Sequence, residues 1–493
     1  MIPQILHLFG RSSLTRIFFI WICLLPVQAV QGQVPVGKWR THLSWNHIQD
    51  VTGSEGQIFA AGESGLLIYH KQYNSTETLD KIKGLSDVPV SAVALSPGEN
   101  LYIGYENGNL DVWNDGEIVN YPGLMQQSLY RQKKIHDITF KGNRAYLSCS
   151  FGVAVFDTEK NIFLENIRPD AAGEYEVFGF SGDGENFYMA TQQGLYYAPS
   201  GAPDLYNPDR WQRISFFPDY TRKVKAVKVH QGTLVFAVDN AGGDDEVYYL
   251  EGPAQSALLV EAEVTALETG RDRLYVCTSE NVRIFNTSLD PVQTLEQYIP
   301  HASPTSLFAS PSGELWIGDS TAGLVQYNQG SAQSILYNGP QTNQTFMLKA
   351  YHDQVYGVSG AYDRFLNKMD RRGGLYHFEQ EQWNNLSFDA FEDFVDFVIH
   401  PANNARRYVA SWGDGLLELK GTDLNNRYDD TNSLLSANAS GEVRVDDLAY
   451  DPDGNLWMIN DGSEYPVKVL DREGNWKVAR YEALQSSRLK GLT

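Results

Sequence analysis

Three cysteines and ten histidines in 493 residues leave little material for metal or redox chemistry. No histidine pair has His-x-x-x-His spacing and no two cysteines form a CxxC, so no metal site is expected. Positive charge is also scarce: 39 Lys and Arg stand against 61 Asp and Glu, a formal net charge of -22. Without a basic footprint there is nothing to displace counterions from a phosphate backbone, which excludes nucleic acid as a partner. The acidic excess reads as a solvated surface. A Gly-rich phosphate loop and a Gly-x-Ser-x-Gly nucleophile elbow are both missing, so no cofactor and no catalytic residue is assigned.

Long apolar runs are missing too. The run from Ile17 to Leu25 is too short to span a bilayer. It follows Arg11 and Arg16 and precedes small and polar residues from Ala29 to Gly32, the pattern of a secretory signal peptide over residues 1–32. Ile20-Trp21-Ile22-Cys23 lacks the small residues of a lipobox, so no lipid anchor is expected. The expected location is exported, in the periplasm or at the outer-membrane cell surface.

Aromatic residues and glycine are abundant, at 12% aromatic with 28 Tyr, 23 Phe and 43 Gly. That mixture favours strands joined by tight turns and points to an all-β chain. One phrase recurs: an alternating apolar strand, a polar turn, a strand of the type Leu-Tyr-Ile-Gly, a glycine turn, and a strand ending in an aromatic residue. It is plainest at Val90–Leu95, Leu101–Gly104 and Leu110–Trp113, with a fourth strand near Ile118 to Tyr121. Further copies run from Ile58 to Tyr69, Ala145 to Phe156, Phe187 to Tyr197, Leu234 to Tyr249, Leu274 to Phe285 and Leu315 to Tyr327. Three more follow at Val355 to Phe378, Tyr408 to Leu419 and Leu456 to Leu470, making ten.

The turn glycines Gly65, Gly108, Gly152 and Gly194 are 43, 44 and 42 residues apart, the length of one four-stranded propeller blade. Glycine suits those turns because they call for positive φ. Repeats five and eight carry longer turns, Asp239 to Asp245 and Ala361 to Arg372, and longer rim loops are where binding surfaces are usually built. Cys149 and Cys277 fall in strands of repeats three and six, too far apart to bridge, and are expected as buried free thiols.

Seven repeats would close a first propeller within residues 33–339. Residues Gly339 to Thr345 read as a linker, and 340–493 would hold the first three or so blades of a second propeller. Three blades cannot close a ring, so the chain is expected to be a truncated piece of a longer protein, the alternative being an intact protein with ten blades arranged another way. The segment Lys38 to Leu43 is expected to close the first ring by completing a shared blade, Lys477 to Tyr481 to form the outer strand of repeat ten, and Arg488 to Thr493 to approach an eleventh.

The opening from Gly37 to Asn46, with Gly84-Leu85-Ser86-Asp87, Ile103 to Asp111, Tyr146-Leu147-Ser148 and Phe151-Gly152-Val153, resembles the N-terminal propeller of PorZ-like proteins of the type IX secretion system in Bacteroidetes. The likeness runs from residue 37 to about 200. It implies two seven-bladed propellers and a C-terminal β domain. It also implies a surface attachment complex with the sortase PorU, PorV and PorQ, and presentation of anionic lipopolysaccharide for attachment to cargo. The turns Ser310 to Gly318 and Asp451 to Trp457 are shared with the propellers of two-component sensors.

The remaining motifs read as structure. Asp451-Pro452-Asp453-Gly454-Asn455 lacks the glutamate that closes an EF-hand and sits where a hairpin turn is favoured. Ser181 to Phe187 resembles an Asp-box turn with the wrong glycine spacing. Trp113, Trp316 and Trp457 occupy strand positions that blade packing explains, although exposed aromatics on a rim could stack on sugars. The expectation is a non-catalytic binding or scaffold component of a secretion complex. The alternatives are a ligand-sensing propeller of a hybrid two-component regulator and a polysaccharide-active enzyme.

Overall fold

In the computed structural model, residues 39–170, 174–215, 219–250, 256–351 and 354–480 are described. The signal peptide and the segment from Arg488 to Thr493 lie outside them.

Alternating apolar residues and glycine turns fold locally into antiparallel hairpins, and two hairpins make one four-stranded sheet. Blade 1 is built from Ile48–Gly53, Gln57–Gly62, Gly65–His70 and Ser75–Leu79, paired in that order. Six more sheets of the same order follow up to Ser331–Ile335, and the chain is a β-propeller followed by a second domain. Gly65, Gly108, Gly152 and Gly194 all have positive φ, at 131°, 81°, 140° and 120°. At Gly65 the crowding is double, since a Cβ there would collide with the Leu79 carbonyl of the outer strand.

The first strand of each sheet lies innermost. Ile48–Gly53, Val90–Leu95, Ile135–Lys141, Val177–Gly182, Val224–His230, Val264–Thr269 and Pro304–Ala309 touch in succession, and the last touches the first. The ring therefore closes with seven blades. Each junction between blades holds its own apolar cluster; at the seam, Trp316 and Leu324 of blade 7 meet Ile58, Leu67 and Tyr69 of blade 1. A middle strand such as Gly152–Asp157 is buried throughout because neighbouring blades cover both faces of the sheet.

The expected shared blade is not what closes the ring. Every blade is made of four consecutive strands, and Thr41–Asn46 forms no strand. Instead the Ser44 hydroxyl donates to the Gln341 carbonyl at 2.9 Å, the Asn343 side chain accepts from the Ser44 amide at 2.8 Å, and the Asn46 carbonyl accepts from the Gly323 amide at 3.0 Å. The opening segment thus stitches blade 7 to the connection that leaves it. Closure needs no exchanged strand because the seam is already filled by Trp45, Trp316 and Tyr69.

The second domain comprises three consecutive blades among the described residues. Blade 8 runs Met347–Tyr351, Gln354–Val358, Arg372–Glu379 and Gln382–Glu392; blade 9 runs Phe394–His400, Asn403–Gly413, Gly415–Lys420 and Asp423–Tyr428. Blade 10 runs Val443–Tyr450, Leu456–Asp461, Val467–Leu470 and Trp476–Val478. Apolar clusters again fill the two junctions. Cys149 and Cys277 lie in the second strands of blades 3 and 6 as buried free thiols.

Candidate functional site

The narrow end of every blade in the first ring carries the same irregularity. Each inner strand has a β-bulge at one equivalent place, between Ile48 and Asp50, Val90 and Ala92, Val177 and Gly179, Val224 and Ala226, Val264 and Ala266, and Pro304 and Ser306. In blade 3 it lies opposite Ser148 and Cys149. A bulge turns one extra residue out of the ladder, and in blades 2, 6 and 7 that residue bonds to the inner strand of the next blade. Ser91 donates to the Ile135 carbonyl at 2.7 Å, Thr265 to the Pro304 carbonyl at 2.7 Å, and Thr305 to the Ile48 carbonyl at 2.7 Å across the seam.

The bulges also aim charged groups at the axis. A cavity of about 230 Å³ there contains Asp50, Asp137, Lys228 and Glu268. Burial pushes the Asp50 carboxyl up to about 7, against the bonds it accepts from Val93 and Ser306, while Glu268 and Asp137 add to the rise. Burial likewise raises Glu268 although Lys228 stands 3.0 Å away. Lys228 overcomes its own burial because three carboxylates surround it, and it is held charged. Among the described residues no group of three or more His, Cys, Asp or Glu side chains is arranged to hold a metal ion.

A larger space lies between blade 7 and blades 8 and 9. This cleft of about 940 Å³ is walled by Asn338, Gln382, Trp383, Asn384, Asn385 and Arg407, among others. Its aromatic wall is held in place: the Trp383 indole donates to the His42 imidazole at 2.9 Å, and the His42 ring meets Phe378 edge-on at 4.6 Å. Amides brace the joint. Asn338 accepts from the Trp383 amide at 2.8 Å and donates to the Glu381 carbonyl at 2.7 Å; Asn385 donates to the Gly339 carbonyl and accepts from the Gln341 amide, both at 3.0 Å. Two residues of the wall, His377 and Arg407, pack on Tyr356 behind it: the His377 ring stacks on Tyr356 at 4.9 Å and the Arg407 guanidinium lies 5.6 Å from the same ring. Burial and the Arg407 charge hold His377 below its usual range. The buried Arg407 Nε has no hydrogen-bond partner among the described residues. An aromatic wall and amide groups suit a polyhydroxylated ligand better than an apolar one.

The features singled out in the sequence fall elsewhere. Asp451 accepts from the Asp453 and Asn455 amides and from the Trp457 indole at 2.8 Å, a turn closed on itself. Asp183 closes its turn in the same way with Glu185, Asn186 and Tyr188. Trp316 is fully buried against Tyr69, and Trp113 packs edge-on to Phe59. The long turn of blade 5 is tied down by Asp245, which pairs with Lys225 at 2.7 Å and accepts from the Val264 amide at 2.9 Å. Sequence reasoning missed the cleft, since its walls come from different repeats.

Residues 58–212 match the family model for the N-terminal β-propeller domain of PorZ of the type 9 secretion system. Among solved structures, the chain is similar to PorZ of Porphyromonas gingivalis, described as an essential bacterial surface component of the type-IX secretion system. The TM-score is 0.76 at 22% identity over 90% of this chain. The chain spans 60% of the length of that structure. An ancestral GH74 enzyme matches with a TM-score of 0.53 at 13% identity, over 90% of this chain and 78% of its own. The extracellular domain of a hybrid two-component system from B. thetaiotaomicron reaches 0.44 at 11% identity, over 89% of this chain and 67% of its own. No curated protein matches the chain.

Proposed function

Since the chain is PorZ-like, with a PorZ-type propeller in residues 58–212, we propose that it serves as an exported, non-catalytic binding component of a type IX secretion system. Its role is in the surface attachment complex, where it works with the sortase PorU, PorV and PorQ to place cargo on anionic lipopolysaccharide. The observation that carries this reading is the family match, joined to a common fold that extends through both domains.

The two candidate sites fit such a role. In the channel, Asp50 is occupied in holding blades together, which leaves it poorly placed to act as one of a catalytic carboxylate pair. The cleft offers what a saccharide needs: Trp383 for an apolar ring face, the Gln382 and Asn384 amides for hydroxyl groups, and the Arg407 guanidinium for an acidic substituent. The likeness to a GH74 enzyme is one of fold and brings no chemistry with it.

Deletion of the gene in its own bacterium tests the reading. Cargo should remain unprocessed and unattached to the surface, and complementation should restore both. Normal processing and attachment in the deletion strain would refute the proposal. A membrane-spanning helix and kinase domain downstream in the gene would replace it with the sensor reading.

A further inference from the structure

The long turn of blade 8 connects Gln354–Val358 to Arg372–Glu379, and it is built to hold a tip rigidly in solvent. Its base is a small antiparallel bridge between Tyr362 and Lys368. Inside the bridge, Asp363 accepts from the Phe365 amide at 2.8 Å, the Asn367 amide at 2.9 Å and the Asn367 side chain at 3.0 Å. The returning arm is fixed from beneath: the buried Asp393 carboxylate accepts from the amides of Met369, Asp370 and Arg371 at 3.0, 2.9 and 3.1 Å. The turn is also nailed to blade 9, where the Trp412 indole donates to the Leu366 carbonyl at 3.0 Å and its ring lies 4.4 Å from Tyr362.

This framework presents apolar side chains to solvent. Phe365, at the tip, is 65% exposed, and Met369, on the returning arm just outside the bridge, is 44% exposed. The Arg364 guanidinium lies 4.6 Å from the Phe365 ring centre. Leu366 and Asp370 have positive φ, 66° and 52°, a conformation that costs a residue with a Cβ and that glycine would relieve. In a chain of net charge -22, residues 361–372 contain four basic side chains against two acidic ones; Lys368 is paired with Glu392 and Asp370 and Arg372 with Asp389, so the charge offered at the tip is that of Arg364. A rigid aromatic backed by arginine is the composition of an interface anchor.

A lipid surface fits this tip poorly. Stable membrane attachment needs a long apolar face or several signals together, and two side chains flanked by Asp363 and Asp370 supply neither. The geometry points to a protein: we infer that Phe365, Met369 and Arg364 form the anchor by which this chain docks into an apolar socket rimmed by carboxylates on a partner of the attachment complex. This inference rests on the function proposed above.

The test uses the full chain and purified PorU, PorV and PorQ, each immobilised in turn, with affinity measured for wild type, Phe365→Ala, Arg364→Glu and Leu129→Ala. Leu129 is an exposed apolar residue of the first propeller and controls for loss of any surface hydrophobe. Thermal unfolding of each variant checks that the fold is kept. Binding to one of the three proteins that weakens at least tenfold in Phe365→Ala and in Arg364→Glu, and less than twofold in Leu129→Ala, is the expected result. Wild-type binding that both loop variants retain would overturn the docking site and leave the proposed function standing. Failure of the wild-type chain to bind any of the three would overturn both. Association with phospholipid vesicles that depends on Phe365, without loss of protein binding in the variants, would reassign the tip to a membrane.

Discussion

The Asp50 carboxylate of blade 1 accepts a hydrogen bond from the Val93 amide of blade 2 at 2.8 Å, while Ser306 of blade 7 donates to its other oxygen at 2.8 Å. One side chain therefore joins three blades and spans the seam of the ring. The second domain repeats the device: Asp396 of blade 9 accepts from the Leu448 amide of blade 10 at 2.9 Å, again beside a bulge. A carboxylate can do this because the bulge frees an amide in the next strand that needs an acceptor.

This arrangement makes stability depend on pH. Burial lifts Asp50 to about 7, and Asp396 to about 7 despite Lys349, so between pH 4 and 7 the folded protein keeps protons that the unfolded chain has released. Stability should fall as pH rises through that window and level off above 7. For Asp50 alone the change is at most about 4 kcal/mol. Denaturant titrations from pH 4 to 8 should show a shallower fall in Asp50→Asn than in wild type, with Asp396 accounting for part of what remains. An unchanged slope would mean that Asp50 titrates near its ordinary value.

Cys149 and Cys277 should serve as silent reporters of ring opening. Both are buried, and burial pushes both thiols far above the ordinary cysteine range. Alkylation followed by peptide mapping should find them at least about 100-fold slower to react in the native protein than in denaturant. Native reactivity at Cys277 alone would show blade 6 opening separately.

The blades were legible in the sequence because each is assembled from neighbouring residues. A hairpin needs only alternation and a glycine at the turn, and Gly65, Gly108, Gly152 and Gly194 mark those turns by spacing alone. The joints were not legible. Thr305 and Ile48 meet only because the ring closes, and His42 and Trp383 meet only because the opening segment crosses to blade 8. Period-two alternation says which residues face inward, but it does not name the strand they will face. The expectation of a shared blade failed for this reason: Lys38 to Leu43 reads as a strand beside a ring, yet the polar side chains that follow, Ser44 and Asn46, find partners in the connection after blade 7.

The joint between the domains should be separable from the stability of the ring. Asn338 and Asn385 together make four hydrogen bonds across it. Asn338→Ala with Asn385→Ala should cost about 2 kcal/mol at the joint. Amide exchange near Trp383 and Gly339 should quicken, while the seam residues Ile48 and Trp316 keep their protection. Equal loss at both places would show that the two domains unfold as one unit.

Trp412 offers the sharpest separation of packing from positioning. Its ring lies in the cluster between blades 9 and 10, where the Arg444 guanidinium covers it at 5.2 Å, and its indole nitrogen holds the Leu366 carbonyl. Trp412→Phe keeps an aromatic ring in the cluster but removes the donor together with part of the buried indole, so the global cost should be about 2–3 kcal/mol. Leu366 sits at a φ of 66° that this hydrogen bond helps to maintain, and its release should let the turn relax. Amide exchange at Asp363 to Asn367 should rise about tenfold, with Met369 to Arg371 less affected because Asp393 still holds them. If exchange rises equally along both arms, the turn is held by its packing as a whole rather than by the indole. If neither arm changes, the bridge between Tyr362 and Lys368 and the Asp363 bonds inside it are sufficient to hold Phe365.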